Sequence, residues 1–378
     1  MAEPDFPEAE FEKRLERAQG AMRADGLDAL FFTTEAELRY FTGFRTLFWQ
    51  SPTRPWFLVV PATGKPIAVI PQIGAHLMAS TWLEDIRTFS APHPTDDGVS
   101  LLADCLSAYG KVGMPIGRES ALRMPLRDFR ELTARLAHTE FADASDLMMR
   151  LRMVKSGREI ALLREICGIG SAGFANAASL FHEGQSLKEV FRTFRIELLR
   201  QGADDVPYLV GGAGQGGYGD VISPPTDQKL EAGDVLMLDT GATKNGYFCD
   251  FDRNFAIGGA SDEVRAAHEK LVRAVEAAAA AARPGSTCSD LFSAMTTVLG
   301  QQDGDVGRLG HGLGMQLTEM PSITSFDTTE LRENMVLTLE PSIGLGNGKM
   351  MVHEENIVVR DGAPEFLSTP AFREIPVI

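Results

Sequence analysis

Two short apolar runs in the C-terminal half of this chain end on aspartates. Val235-Leu236-Met237-Leu238 leads into Asp239-Thr240-Gly241, and Tyr247-Phe248-Cys249 leads into Asp250-Phe251-Asp252-Arg253. Asp239 could simply open a turn before Gly241, and Asp250 could sit on a surface strand. Neither reading accounts for the apolar residues around them, because an ionised carboxylate on a buried strand is far too costly unless something compensates it. Two such charges, eleven residues apart on neighbouring strands, constrain the chain to fold around cations.

Three further strings complete a ligand set: Gly310-His311-Gly312-Leu313-Gly314, Leu339-Glu340-Pro341 and His353-Glu354-Glu355. Four carboxylates and one imidazole suit a pair of hard or borderline divalent ions, with Mn, Fe, Co and Zn all compatible. Two such ions about 3.5–4 Å apart activate a water while polarising a substrate oxygen. The order and spacing of the five strings resemble the pita-bread metallopeptidase family, which includes Xaa-Pro aminopeptidase, prolidase, methionine aminopeptidase and the metal-free creatinase. The resemblance extends over roughly the whole chain. It implies an α+β fold, with a small creatinase-type α/β N-terminal domain over 1–150 and a pseudo-symmetric pita-bread catalytic domain over 151–378. It also implies that Asp239 chelates one metal, that Asp250 and Glu354 bridge the two, and that His311 and Glu340 complete the second. Glu340 would in addition be the catalytic base.

Composition narrows the function classes. At 378 residues two domains are expected, and 44% apolar with 23% charged residues describes an ordinary globular protein. A net charge of −16 leaves no basic stripe to neutralise phosphates, so no nucleic-acid partner is expected. The four cysteines are scattered with no Cys-x-x-Cys pair, which fits a reducing compartment. The acidic Met1–Glu16 stretch has no apolar signal-peptide core, and no apolar run approaches the length of a membrane span. The expectation is a cytoplasmic protein without a membrane partner.

Residues 8–25 carry apolar punctuation at helical spacing up to Gly26, and short β-prone runs follow at 29–32, 56–60 and 67–70, with helical patterns near 98–109 and 126–137. The second half predicts helices over 158–182, 187–202 and 262–282, with strands at 235–240, 247–255, 336–340 and 354–359. Helix pair, strand pair, helix pair, strand pair suggests a duplicated α+β unit.

The sequence departs from the peptidase pattern at two places. Relatives that cut peptides carry two non-ligand histidines that hold the substrate carbonyl and pass a proton to the leaving amine; here those positions are Thr318, in Thr318-Glu319-Met320-Pro321, and Ile222. A hydroxyl donates a hydrogen bond but does not shuttle protons near neutral pH as imidazole does. Asp252 stands where the family usually has Thr, and period-two geometry puts it on the face of Asp250, within reach of a cationic substrate group or Arg253. His353, next to Glu354, should face away from the metals by the same alternation. The loop Thr46–Trp56 is aromatic and polar; some relatives close a partner's active site with this domain, and Trp49 and Arg54 suit that role, the arginine as a fork for a carboxylate. Gly211–Gly217 lacks Walker spacing and reads as a flexible wall of the site.

The expected function is a homodimeric dinuclear-metal hydrolase of the Xaa-Pro aminopeptidase/dipeptidase type, slow on ordinary Xaa-Pro peptides, in which metal-bound hydroxide attacks an amide C–N bond of a short peptide or small molecule. A repurposed enzyme acting on a small zwitterion or amide metabolite, and a metal-binding homologue without catalysis, are the alternatives.

Overall fold

The computed structural model describes residues 5–51, 54–300 and 307–378, and divides into two compact units, Met1–Leu151 and Arg152–Ile378. Pro52 and Thr53 of the aromatic loop therefore lie outside the described residues.

The first unit is built on a six-stranded mixed sheet with the spatial order 85–89, 67–71, 57–61, 29–32, 111–114, 140–143. Ala29–Phe32 pairs antiparallel with Phe57–Pro61 and parallel with Lys111–Met114. Both central strands are buried along their whole length, which is why they read as continuous apolar runs rather than alternating ones. Phe31, Phe57, Val59 and Val112 pack there with Leu102 and Leu132 from the helices Val99–Leu106 and Leu126–Arg135. The helix Glu8–Asp25 matches its expected bounds because Gly26 closes it in the left-handed conformation. The helices Glu35–Thr42 and Ser145–Met153 were not legible from periodicity, the first because nearly all of its residues are buried and no polar face marks it.

The second unit repeats one motif twice. Helices Gly157–Ala175 and Leu187–Gln201 precede an antiparallel sheet of Asp205–Gln215, Asp234–Lys244 and Phe251–Ala256, with Tyr247–Phe248 folded back on the middle strand. Helices Asp262–Ala281 and Cys288–Leu299 precede a five-stranded antiparallel sheet ordered 319–322, 310–312, 336–339, 355–358, 365–366. A separate hairpin pairs Ser342–Gly346 with Lys349–Val352. This is the pseudo-symmetric α+β arrangement expected of the second half. Ser156, Ser186 and Thr287 each begin a helix with a reciprocal capping box, so these entries were encoded locally.

Of the glycine-rich stretch Gly211–Gly217, residues 211–215 belong to the strand Asp205–Gln215, which is hydrogen-bonded to Asp234–Lys244 with Val210 opposite Asp239 and Gly211 opposite Leu238, and Gly216 and Gly217 turn the chain beyond it. A Cβ on Gly211 would lie 2.1 Å from the Met237 carbonyl oxygen, so the glycine serves close strand approach.

Candidate metal centre

Asp239 occupies the middle of the strand Asp234–Lys244, buried except at Lys244, and Asp250 precedes the paired strand, whose register sets Asp252 opposite Asp239. His311 lies in the short strand Gly310–Gly312 opposite Thr338. Glu340 follows Val336–Leu339 and Glu354 precedes Glu355–Val358, each one residue beyond the pair Leu339–Glu355. Two antiparallel sheets thus deliver the five side chains to one place.

Ligand oxygens of Asp239, Asp250 and Glu354 lie within 4.8 Å of one another, and all three residues are buried. His311 Nε2 stands 3.2 Å from Asp250 Oδ2 and 3.7 Å from Glu340 Oε2. Burial and then the neighbouring carboxylates push the acids of Asp239 and Glu354 well above the ordinary range. Asp250 and Glu340 are also raised, burial outweighing the relief that His311 provides. For His311 itself burial opposes the charge, but Asp250 and Glu340 prevail and its pKa rises. Asp239 Oδ1 and Glu354 Oε2 are buried with no hydrogen-bond partner among the described residues. Packed acids with orphaned oxygens and a neighbouring imidazole nitrogen fit divalent cations as ligands.

Several supporting residues carried no sequence signal. Asn356 clamps the Asp250 backbone on both sides: its Oδ1 accepts from Asp250 N at 3.0 Å and its Nδ2 donates to Asp250 O at 2.6 Å. Thr338 donates to the same carbonyl at 3.1 Å. A polar pair inside apolar strands was the available hint. Tyr208 lies on the strand beside Asp239, and burial followed by the acid cluster pushes its phenol pKa up. Arg308 reaches the rim, with Nε 3.3 Å from Glu340 Oε1 and Nη2 3.4 Å from Thr318 Oγ1.

The glycines around His311 admit the protein's own chain. A Cβ on Gly310 would lie 2.3 Å from Thr338 O, and one on Gly314 would lie 2.8 Å from Glu319 Oε1. Glu319, between Thr318 and Met320, is buried against Arg152 and, at 2.9 Å, Lys155 Nζ. Burial opposes its charge, yet those two cations outweigh it and hold its pKa at about 2.

The remaining predicted residues fall as follows. Asp252 is fully buried, and its carboxylate does not pair with Arg253: its Oδ1 accepts from Glu354 N at 2.8 Å and lies 3.3 Å from His353 Nδ1. Arg253 turns instead to Glu355 Oε2 at 2.9 Å, its guanidinium 4.9 Å from the Phe251 ring centroid. His353 is held between Asp252 and Glu355, both at 3.3 Å, and takes no place among the metal ligands. Thr318 is half-buried beside Arg308, whereas the Ile222 side chain is 74% exposed. Trp49 is buried within the first unit. Its ring lies 5.8 Å from Trp56 and 4.9 Å under the Arg123 guanidinium, which also donates to the carbonyls of Trp49, Ser51 and Arg54. Arg54 is half-buried in that same clamp.

Residues 161–361 match metallopeptidase family M24, and residues 14–154 match the creatinase/prolidase N-terminal domain. The chain is similar to "Probable dipeptidase PepE" of Mycobacterium tuberculosis, 28% identical over 98% of each chain. It is also 27% identical to the Xaa-Pro dipeptidase of Pyrococcus furiosus, over 61% of this chain and 67% of that one. Among solved structures, the dipeptidase PepE from Mycobacterium ulcerans superposes with a TM-score of 0.86 at 26% identity, covering 99% of both chains. The prolidase from Pyrococcus horikoshii shares the fold, with a TM-score of 0.83 at 20% identity over 96% of this chain and 100% of that one. The first match alone spans more than half of the sequence, and the chain belongs to metallopeptidase family M24.

Proposed function

Starting from membership of metallopeptidase family M24, we propose that this chain is a dinuclear-metal-dependent hydrolase of the Xaa-Pro dipeptidase/aminopeptidase type, cleaving an amide C–N bond of a short peptide. The observation that carries this reading is the buried carboxylate cluster, whose oxygens converge within 4.8 Å and whose charges need divalent cations. Asp239, Asp250, His311, Glu340 and Glu354 would hold the pair. Bound divalent ions supply Lewis-acid charge and acidify water. Glu340, whose side chain is 18% exposed against 6% for Asp250, stands at the accessible edge and would accept the water proton. Thr318 Oγ1, on the same edge, would donate to the substrate carbonyl.

The ligand set suits Mn²⁺, as it does Fe²⁺, Co²⁺ and Zn²⁺. The two units would be the domains 1–150 and 151–378. Four free, buried cysteines support a reducing, cytoplasmic setting, and among the described residues no helix is long and apolar enough to cross a membrane. A homodimer completes the reading, on the strength of the family resemblance alone.

A second reading, a small-molecule hydrolase or lyase on the same scaffold, is favoured by one observation. With Thr318 and Ile222 at the histidine positions, and His353 committed to Asp252 and Glu355, no free imidazole among the described residues serves a leaving amine. The deciding experiment strips the protein of metal, restores Mn²⁺, Co²⁺, Fe²⁺ or Zn²⁺ singly, and assays Xaa-Pro dipeptides beside small amides and betaines. Two ions per chain with metal-dependent dipeptide hydrolysis is the expected result; turnover confined to non-peptides selects the second reading.

A further inference from the structure

Three of the five candidate ligands have backbones held by their strands. Asp239 is paired on both sides, with Val210 and Asp252; His311 pairs with Thr338; and the Glu340 N–H reaches Leu309 O at 3.0 Å. Asp250 and Glu354 differ, because each stands one residue before its strand, where the ladder does not fix it. Both are buried, so an unpartnered N–H or carbonyl there would be costly.

Side chains hold these two backbones instead, and they do so across the repeat. Asp252 follows Asp250 by two positions, and Asn356 follows Glu354 by two. Asp252 Oδ1 accepts from Glu354 N at 2.8 Å, and Asn356 Oδ1 accepts from Asp250 N at 3.0 Å. The carbonyls are taken in the same crossed sense. Arg253 Nη1 donates to Glu354 O at 3.0 Å, and Asn356 Nδ2 donates to Asp250 O at 2.6 Å. Asp252 and Arg253 belong to the first antiparallel sheet of this unit and Asn356 to the second, so each sheet grips the ligand that the other delivers. His353 braces the grip on Glu354, with its ring nitrogens 3.3 Å from Asp252 Oδ1 and 3.3 Å from Glu355 Oε1. Packing alone would be served better by an apolar residue at 252, since a buried carboxyl opposite Asp239 costs stability.

We infer that Asp252 and Asn356 are positioning residues that form a reciprocal clamp, each locking the backbone of the other sheet's ligand so that Asp250 and Glu354 meet the cations as a preset pair. This rests on the metal-centre reading above and deepens it: the affinity for metal depends on contacts two residues beyond the ligands, in the opposite repeat.

The test uses the full chain with Asp252→Val, which removes the acceptor, and Asp252→Asn, which keeps a carbonyl oxygen at the same place. Calorimetry measures Mn²⁺ binding, thermal unfolding is followed with and without Mn²⁺, and hydrogen exchange is read by mass in the segments holding Glu354 and Asp239. Asp252→Val should weaken Mn²⁺ binding about 10–100-fold, the size typical of lost outer contacts to metal ligands. Its gain in Tm on adding Mn²⁺ should shrink accordingly. Exchange in this variant should quicken around Glu354, 102 positions away, and not around Asp239, its neighbour across the ladder. Asp252→Asn should bind Mn²⁺ nearly as the wild type does, and the metal-free wild type should still protect the Glu354 segment, because the clamp needs no ion. Wild-type Mn²⁺ affinity in Asp252→Val overturns the assignment. So does an Asp252→Asn protein as weak as Asp252→Val, which would make charge rather than grip the cause, and so does rapid exchange around Glu354 in the metal-free wild type. Should Asp252→Val not fold, these last two measurements still decide. A wild type that binds no Mn²⁺ while its Glu354 segment stays protected overturns the metal reading and leaves the clamp standing.

Discussion

At Asp239 and Glu354 one carboxylate oxygen each is buried without a partner, so the charge of these side chains is tolerable only beside a cation. Replacing Asp250 or Glu354 by Ala should leave less than one equivalent of metal per chain by elemental analysis, and full retention of two would contradict the ligand assignment. Thr318 sets the second prediction. With no imidazole there or at position 222, Leu-Pro turnover should run about 10²–10⁴ below that of relatives possessing both histidines. Thr318→His alone should recover little, since such groups act together; a kcat/KM above ~10⁴ M⁻¹s⁻¹ for the wild type would end this expectation. Glu319 makes the third, a pH effect. Its folded pKa of about 2 lies below the ordinary 4.5, so the stability it provides is complete above pH 4.5 and is lost as pH falls from 4.5 through 2. Linkage puts that contribution on the order of 3 kcal/mol. Urea midpoints should therefore drop less between pH 5 and pH 2.5 in Glu319→Gln than in the wild type, from a lower starting stability.

At the scale of elements, the sequence was legible wherever a segment signals its own ends. Glu8–Asp25, Leu187–Gln201 and Asp262–Ala281 appear within a residue or so of their expected limits because caps and glycines act over three or four positions. Asp205–Gln215 was not legible: its glycines lower strand propensity, and only pairing with Asp234–Lys244 makes it a strand. The same holds for Gly310, where φ is +148° and the Thr338 carbonyl lies against the missing side chain. Gly310→Ala should cost about 2 kcal/mol or more from combined clash and backbone strain, and should loosen metal binding by displacing His311. Thermal unfolding with and without added Mn²⁺ checks both parts. Asn356→Leu should be as damaging, because it strands the Asp250 N–H in the interior and leaves its carbonyl only the Thr338 hydroxyl.

For the molecule as a whole, metal and stability are one equilibrium. Free Mn²⁺ at a hundred times its Kd should add about 2.7 kcal/mol to unfolding, read as a rise in Tm that chelator reverses. An acid cluster that stays equally stable after complete metal removal would contradict the site's basic electrostatics. The sequence by itself determined the chemistry on offer: which residue types the proposed metal site would use, in which order, and that the flanking runs are buried strands. Those facts are carried by residues next to one another, since a carboxylate within an apolar run is informative wherever the chain goes. Only the tertiary structure decided the partners. Arg253 pairs with Glu355, 102 positions away, rather than with the carboxylate of its neighbour Asp252, and Asp252 faces His353. Trp49 turned inward, and Arg308 was brought to Glu340 and Thr318. Each of these choices follows from strand register and packing between distant segments, and no local periodicity encodes which side chain will stand across from another once two sheets have closed on the same site.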